Sequence, residues 1–462
     1  MTGTVPPRSP ASTTRTGTRA TTPTGRTTQP ITEGTDARRG GAPGASRPNG
    51  SGQSADRPTG LRAVTVSLGR RFSEGDRDVS LLIAVTLALV VYGLVMVLSS
   101  SSVEEFAAGN SISDKFVRQG LFALVGVPLM LIASRLPERF WSAMAWPLLV
   151  VGVALQALVL TPLGYEVNGN RAWIDLAGFS MQPAEVLKIA LIVWLASVIS
   201  RKEKLLNDWR HAFIPVVPVL VIAIGIALLT KDLGTVMVIA VCVLGALFCG
   251  GFPLTYLALG GIAAAGMSIV FAATSPNRVA RISAFYTGDC DYEDLCWQST
   301  HGLYALSAGG FFGVGLGNSR AKWSWLPEAD NDFIFAIVGE EFGLVGALVM
   351  IALFVALAVL MVRLLVRSTS TFRRTIIGGV LVWLLFQGFV NIAVVLGLLP
   401  VLGVPLPLVS SGGSALLTTL GAIGIVLAMA HADTNETAAR SRPRSGEGAR
   451  RTSPTASRAR ER

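Results

Sequence analysis

The chain has 462 residues, 51% of them apolar and 15% charged, with a mean hydropathy of +0.55 and a formal net charge of +10. That balance excludes an ordinary soluble domain and indicates a polytopic membrane protein. The arginine excess lies in the two tails and in short loops, where it reads as membrane orientation. Nucleic-acid binding would need a folded basic face, so no nucleic-acid partner is expected.

Residues 1–78 are rich in Thr, Pro, Gly, Ser and Arg and poor in aromatics. They cannot bury enough apolar surface to fold, so a disordered tail is expected there and again over 433–462. No cleavable signal peptide is visible, because the start lacks an early apolar run. Between the tails, residues 79–432 contain about ten apolar runs of spanning length: 80–101, 115–134, 141–160, 183–200, 212–230, 235–251, 254–274, 332–362, 376–398 and 414–432. The fold class is therefore all-α, a polytopic membrane helix bundle. The run at 332–362 is long, so it is either tilted or begins inside protein rather than lipid. Arg135, Arg139, Arg201, Lys202, Lys204, Arg210, Arg363, Arg367, Arg373 and Arg374 fall on one side if the N-terminal tail is cytoplasmic. Both termini are then cytoplasmic. The outer side receives the Gly/Pro-rich loops, including a large extracytoplasmic loop between spans seven and eight.

Several residues in this frame carry chemistry. Arg118, with Gln119, sits at the outer start of span two and is either a snorkelling residue or a contact for an anionic ligand. Asn168, Gly169 and Asn170 allow a tight turn before Arg171, whose guanidinium offers a fork for phosphate. Gln182-Pro183-Ala184-Glu185 opens span four, and Glu185 lies three residues before Lys188, so the two share a helix face. Asp232 follows Lys231 in a tight outer connection and is a turn residue or a site residue. Cys242 and Cys249 are ordinary membrane-helix residues. Cys290 and Cys296 lie in an outer polar loop and are read as a disulfide; two free thiols is the alternative, and a metal site is disfavoured by the histidine spacing. The glycine run Gly309 to Gly317 lacks a βαβ setting, so it is not a nucleotide loop; it brings backbone close to a substrate or to another helix.

The stretch from Lys322 to Gly343 holds the most information. Glu328, Asp330 and Asp332 crowd a short polar loop, and Glu340 and Glu341 lie two turns into the following apolar run. Intramembrane carboxylates are functional-site candidates by default. Asp332 could cap the next helix, or could accept a proton from a hydroxyl at the membrane boundary. Glu340 and Glu341 call for an internal cation, for which Lys188 is the candidate. Finally, Gly397 to Ser414 is too Pro-rich for a continuous helix, so its irregular backbone lines a cavity or packs on protein, and the amides near Ser410 and Ser414 could cradle an anion. With three histidines, no Ser-His-Asp set and no P-loop, neither imidazole nor nucleotide chemistry is expected. Outward carboxylates beside arginine and lysine fit a lipid-phosphate-linked substrate.

Taken in order, Arg118-Gln119, Asn168-Gly169…Trp173, Gln182-Pro183-Ala184-Glu185…Lys188, Asp232-Leu233-Gly234-Thr235, Leu326-Pro327-Glu328…Asp332-Phe333-Ile334-Phe335…Gly339-Glu340-Glu341 and Gly397-Leu398-Leu399-Pro400 through Gly412-Gly413-Ser414 resemble the SEDS family of cell-wall glycosyltransferases, FtsW and RodA, over residues 80–432. The wording around Lys322-Trp323 and Asn331-Asp332 is most similar to actinobacterial FtsW. Lys231 stands where the family has proline, Ala172 where it often has arginine, and Ser411 where it has an aromatic. The resemblance implies polymerisation of lipid II onto a lipid-linked glycan strand at the outer face of the cell membrane, at the division septum. It implies that Asp332 is the catalytic base. Arg118, Arg171 and Lys188 become candidates for stabilising the diphosphate, and Glu185, Asp232, Glu328, Glu340, Ser410 and Ser414 further substrate-binding candidates. It also implies a divalent cation (Mg or Mn) with unassigned ligands, a class B penicillin-binding protein as transpeptidase partner, and other divisome proteins. A lipid II flippase without chemistry is the alternative from another class, and a division scaffold acting through the tails is compatible with either.

Overall fold

The computed structural model describes residues 74–440 except 108, 110, 112, 168–169, 177–178, 275, 288–295 and 324. The N-terminal tail up to residue 73 and the last 22 residues lie outside the described residues. The expected tail boundaries shift, because the first helix begins at Glu74 and the last continues to Arg440.

All ten expected spans are helices. They are α1 (Glu74–Ala107), α2 (Asp114–Arg135), α3 (Glu138–Leu158), α4 (Pro183–Lys202), α5 (Trp209–Leu229), α6 (Leu233–Cys249), α7 (Leu254–Ala273), α10 (Ile334–Arg367), α11 (Thr371–Val395) and α12 (Gly413–Arg440). Nine are long and apolar enough to cross a membrane, and α6 is a shorter apolar helix. The chain is thus a multi-pass membrane protein. The loop between spans seven and eight is itself structured, carrying α8 (Pro276–Thr287) and α9 (Trp297–Gly309). The all-α reading needs one addition. Strands β1 (Gly164–Val167), β2 (Asn170–Leu176) and β3 (Phe179–Met181) form an antiparallel sheet in the order β1-β2-β3, pairing Gly164 with Ile174 and Ile174 with Met181.

The interior is built by α4, α11 and α12, whose residues are mostly buried, whereas α7 buries none and lies at the periphery. α2 packs on α12, α6 on α11, α3 on α4 and α1 on α10.

α10 is broken. Gly343 has φ 67° and ψ −163° inside it, a conformation open to glycine and strained for other residues. The segment after α9 enters this break. Val314 N and Gly315 N donate to the carbonyls of Glu340 and Glu341 (2.9 and 3.0 Å), and Leu344 N and Val345 N donate to the carbonyls of Gly310 and Phe311 (2.9 and 3.2 Å). A Cβ on Gly343 would lie 2.4 Å from Gly313 N. The insertion therefore satisfies the backbone that the kink frees, as an apolar environment demands. It also settles the length of the 332–362 run, since residues 334–341 are buried in protein. Of the two readings of the Gly309–Gly317 run, close approach to another helix is the one observed.

Candidate functional site

One end of the bundle gathers the irregular segments. The sequence reaches α10 through a compact loop, 326–333, in which Glu328 takes a positive φ of 55°. Glu328 O accepts from both Asn331 N and Phe333 N, at 3.1 Å each. The Pro-rich segment 400–412 runs beside this loop. Ser410 Oγ accepts from Leu406 N (2.8 Å) and donates to Asn331 O (2.6 Å). Ser411 N donates to Asp330 O at 2.8 Å. Gln119, at the start of α2, brackets the same segment, donating to Ser410 O and accepting from Gly412 N, each at 3.2 Å.

Asp332 lies in the seam. It is half-buried, and its Oδ1 is buried without any hydrogen-bond partner. The capping alternative fails: the N-cap of α10 is Phe333, with no side-chain cap bond. Gly403, at φ 66°, approaches so closely that a Cβ there would sit 3.6 Å from Asp332 Oδ2. Burial, with Glu328, Asp232 and Asp330 adding negative potential, pushes the Asp332 carboxyl up to about 7. A carboxylate with that pKa, and an acceptor oxygen without a donor, is matched to proton abstraction near neutral pH. Lys115 of α2 partly offsets the negative potential, pairing with Asp330 at 3.1 Å and with Glu104 at 2.7 Å.

The deeper carboxylates differ. Glu340 accepts from Ser319 Oγ (2.5 Å), Arg320 N (2.8 Å) and Ala321 N (3.3 Å). Glu341 accepts from Ser99 Oγ (2.6 Å) and meets Lys322 Nζ at 3.4 Å. Lys322, not Lys188, is thus the cation paired with Glu341, and Glu340 is instead bonded to the 319–321 segment. Among the described residues there is no group of three or more His, Cys, Asp and Glu side chains able to hold a metal ion.

The family model for cell cycle proteins of the FtsW, RodA and SpoVE type matches residues 79–435. The chain belongs to the FtsW/RodA/SpoVE family. It is 38% identical over 348 residues to the probable peptidoglycan glycosyltransferase FtsW of Mycobacterium tuberculosis, covering 75% of this chain and 66% of that one, so it spans just under two thirds of the mycobacterial relative. It is also 38% identical over 363 residues to the protein of the same name from Trichlorobacter lovleyi, covering 78% and 94%. Among solved structures, a chain of a peptidoglycan synthase complex that coordinates polymerization and crosslinking aligns with a TM-score of 0.61 at 26% identity, covering 79% of this chain and 99% of that one. Thermus thermophilus RodA aligns at 0.56 and 27% identity, covering 76% and 95%. The expected resemblance is borne out, and both structural relatives share the helical bundle.

Within this FtsW/RodA frame the other expected site residues divide by what they already hold. Arg118 is exposed at the Asp332 end of α2. Arg171 is committed, its guanidinium donating to Thr161 O (2.6 Å) and Gly164 O (3.1 and 3.2 Å), so it locks the β1 entry instead of presenting a fork to phosphate. Lys188 is fully buried against Glu185 (2.7 Å), Gln387 (3.1 Å) and the Trp383 ring, which closes it to a diphosphate. Asp232 caps α6, accepting from Thr235 N (3.0 Å) and Thr235 Oγ1 (2.6 Å), and from Gln182 Nε2 (3.3 Å). Ser414 Oγ accepts from Gln182 N at 3.1 Å. Glu328 stays in the Asp332 loop, with Asn331 Nδ2 3.4 Å from its Oε2. Cys296 is disulfide-bonded and Cys242 and Cys249 are free; Cys290 lies outside the described residues. Sequence reasoning missed Lys115, Gln387 and Asn391. Gln387 and Asn391 had a signal, being two amides four residues apart in an apolar run.

Proposed function

We propose that this chain is a peptidoglycan glycosyltransferase that polymerises lipid II at the outer face of the cytoplasmic membrane during cell division. The observation that carries it is the Asp332 carboxylate: raised to about 7, with a buried oxygen that accepts nothing, in the seam between two irregular segments. Relatives carrying the peptidoglycan glycosyltransferase name support the same reading.

In this reading Asp332 takes the proton from the 4-hydroxyl of the acceptor sugar as that oxygen attacks C1 of the lipid-linked strand. The C1–O bond to undecaprenyl diphosphate breaks, inverting C1. Arg118 is the remaining expected cation whose side chain makes no bond in the described structure, so it is assigned to the diphosphate. A divalent cation would arrive with that diphosphate, because Mg²⁺ is commonly shared between few carboxylates and substrate phosphates. The basic helix ends, from Arg135 and Arg139 to Arg373 and Arg374, lie at the end of the bundle away from Asp332, and by the positive-inside rule this supports a reading in which both termini are cytoplasmic. A class B penicillin-binding protein is the partner that crosslinks the product.

The test is polymerisation of labelled lipid II by the purified chain with its transpeptidase. Asp332→Asn should lose nearly all glycan synthesis while still binding the partner. Normal synthesis by that variant would remove the base assignment, and lipid II translocation without any polymerisation by the wild type would replace this reading with the flippase.

A further inference from the structure

The main chain that carries Asp332 into α10 is held at three successive carbonyls. Asp330 O accepts from Ser411 N (2.8 Å), Asn331 O from Ser410 Oγ (2.6 Å) and Asp332 O from Asn391 Nδ2 (2.8 Å). The first two donors belong to the 400–412 segment. The third comes from α11, and it has a second task, since Asn391 Nδ2 also donates to Val404 O at 2.8 Å. Both amide protons are therefore spent, and the network sets the orientation of the carboxamide. One turn earlier, Gln387 Nε2 donates to Pro405 O at 2.9 Å, while its Oε1 accepts from Trp383 Nε1 and Lys188.

Asn391 is 2% exposed and its Oδ1 is buried without a donor. A buried amide with an orphan acceptor is less favourable than an apolar side chain of the same size. Packing gives no reason for it, and α11 continues to Val395 without its help.

We propose that Asn391 is a positioning residue for Asp332, a single carboxamide that ties the main chain of the base to the Gly403–Val404 backbone facing its carboxylate. This rests on the reading of Asp332 as the base. Gly403 stands against Asp332 Oδ2. Holding that backbone in place keeps the carboxylate out of water and leaves Oδ1 for the incoming hydroxyl. The charged groups facing Asp332 are Glu328 and Asp330 of its own loop, the latter paired with Lys115 of α2, and Asp232 at the start of α6. Asn391 bonds to none of them, so its influence runs through the position and solvation of the base. Loss of the tie admits water to the seam and lowers the pH at which Asp332 ionises.

The experiment measures kcat, KM for lipid II and the pH–rate profile between about pH 5 and 9 for the purified chain with its transpeptidase partner. The variants are Asn391→Leu, Asn391→Ser and Asp332→Asn. For Asn391→Leu the expected result is a fall in kcat of about tenfold to a hundredfold, an unchanged KM, and an acid limb moved to lower pH. A variant with wild-type kcat per folded molecule and an unmoved limb would reduce Asn391 to a stability role and overturn the proposal. Should Asn391→Leu not fold, Asn391→Ser retains one hydroxyl donor and is read identically: a smaller shift in the same direction supports the proposal, and an unmoved limb overturns it. Asp332→Asn separates the two ideas. If it polymerises normally, the base assignment itself is wrong. If it is inactive while the Asn391 variants keep the wild-type limb, the positioning role alone is wrong.

Discussion

Two sets of carboxylates stand within ten residues of each other on one polypeptide. Glu340 and Glu341 sit in the first turns of α10 and have donors, Ser319, Arg320 and Ala321 for the first and Ser99 and Lys322 on Oε1 of the second, whose Oε2 is buried without a partner. Asp332 lies at the entry to the same helix with a buried oxygen that nothing satisfies. A buried carboxylate with its donors in place is part of the framework. One without them raises its pKa and waits for a proton. Asp332 Oδ1 and Glu341 Oε2 are both buried without a partner; what separates the two acids is that Glu341's other oxygen meets Ser99 and Lys322, whereas among the described residues no donor bonds the Asp332 carboxylate.

The sharpest way to break the comparison is to neutralise each set. Asp332→Asn should lower polymerisation by about a hundredfold to ten-thousandfold without loss of folded protein. Its thermal stability should exceed that of the wild type at pH 8 and converge with it at pH 5. The sign follows from linkage: a carboxyl raised in the folded state favours folding while protonated, and that contribution is lost as pH climbs through about 7. A melting series across pH checks it.

Lys188→Met comes next. It strands Glu185 at 3% exposure, and breaking a buried pair costs about 3–5 kcal/mol. Adding Glu185→Gln should restore part of that stability. Glu340→Leu should follow, leaving Ser319 Oγ and two amides without an acceptor at about 1–3 kcal/mol each, with hydrogen exchange increased over 319–322. Smallest is the arginine pair. Arg118→Ala should raise KM for lipid II, whereas Arg171→Ala should leave KM alone and lower the melting temperature, because only Arg171 is already tied to carbonyls.

The spans were legible because a bilayer demands about twenty apolar residues per crossing, and each expected run became a helix. The elements between them were not. β1–β3, α8 and α9 are short, and no lipid selects their composition. The break at Gly343 was hidden because its cause is remote in sequence: the Gly310–Gly315 backbone that fills it. For the site, Asp332 was singled out from its setting and from the family resemblance, but the residues around it were not. Glu341 took Lys322, and Glu340 took Ser319 and the amides of Arg320 and Ala321, because the 317–322 segment folds back over α10, a tertiary fact that spacing cannot encode. Arg171 and Lys188 were placed among the ligand cations by type alone, and the structure shows both already engaged. Gln387 and Asn391 could have been noticed, since an amide pair on one face of a membrane helix needs buried partners.

The central claim is tested most directly by the pH dependence of lipid II polymerisation by the wild-type chain with its partner. The account predicts a rate that rises with pH through an apparent pKa of about 7, with that limb absent from the residual activity of Asp332→Asn. A limb near the ordinary carboxylate value of about 4, or one that survives in Asp332→Asn, would contradict it.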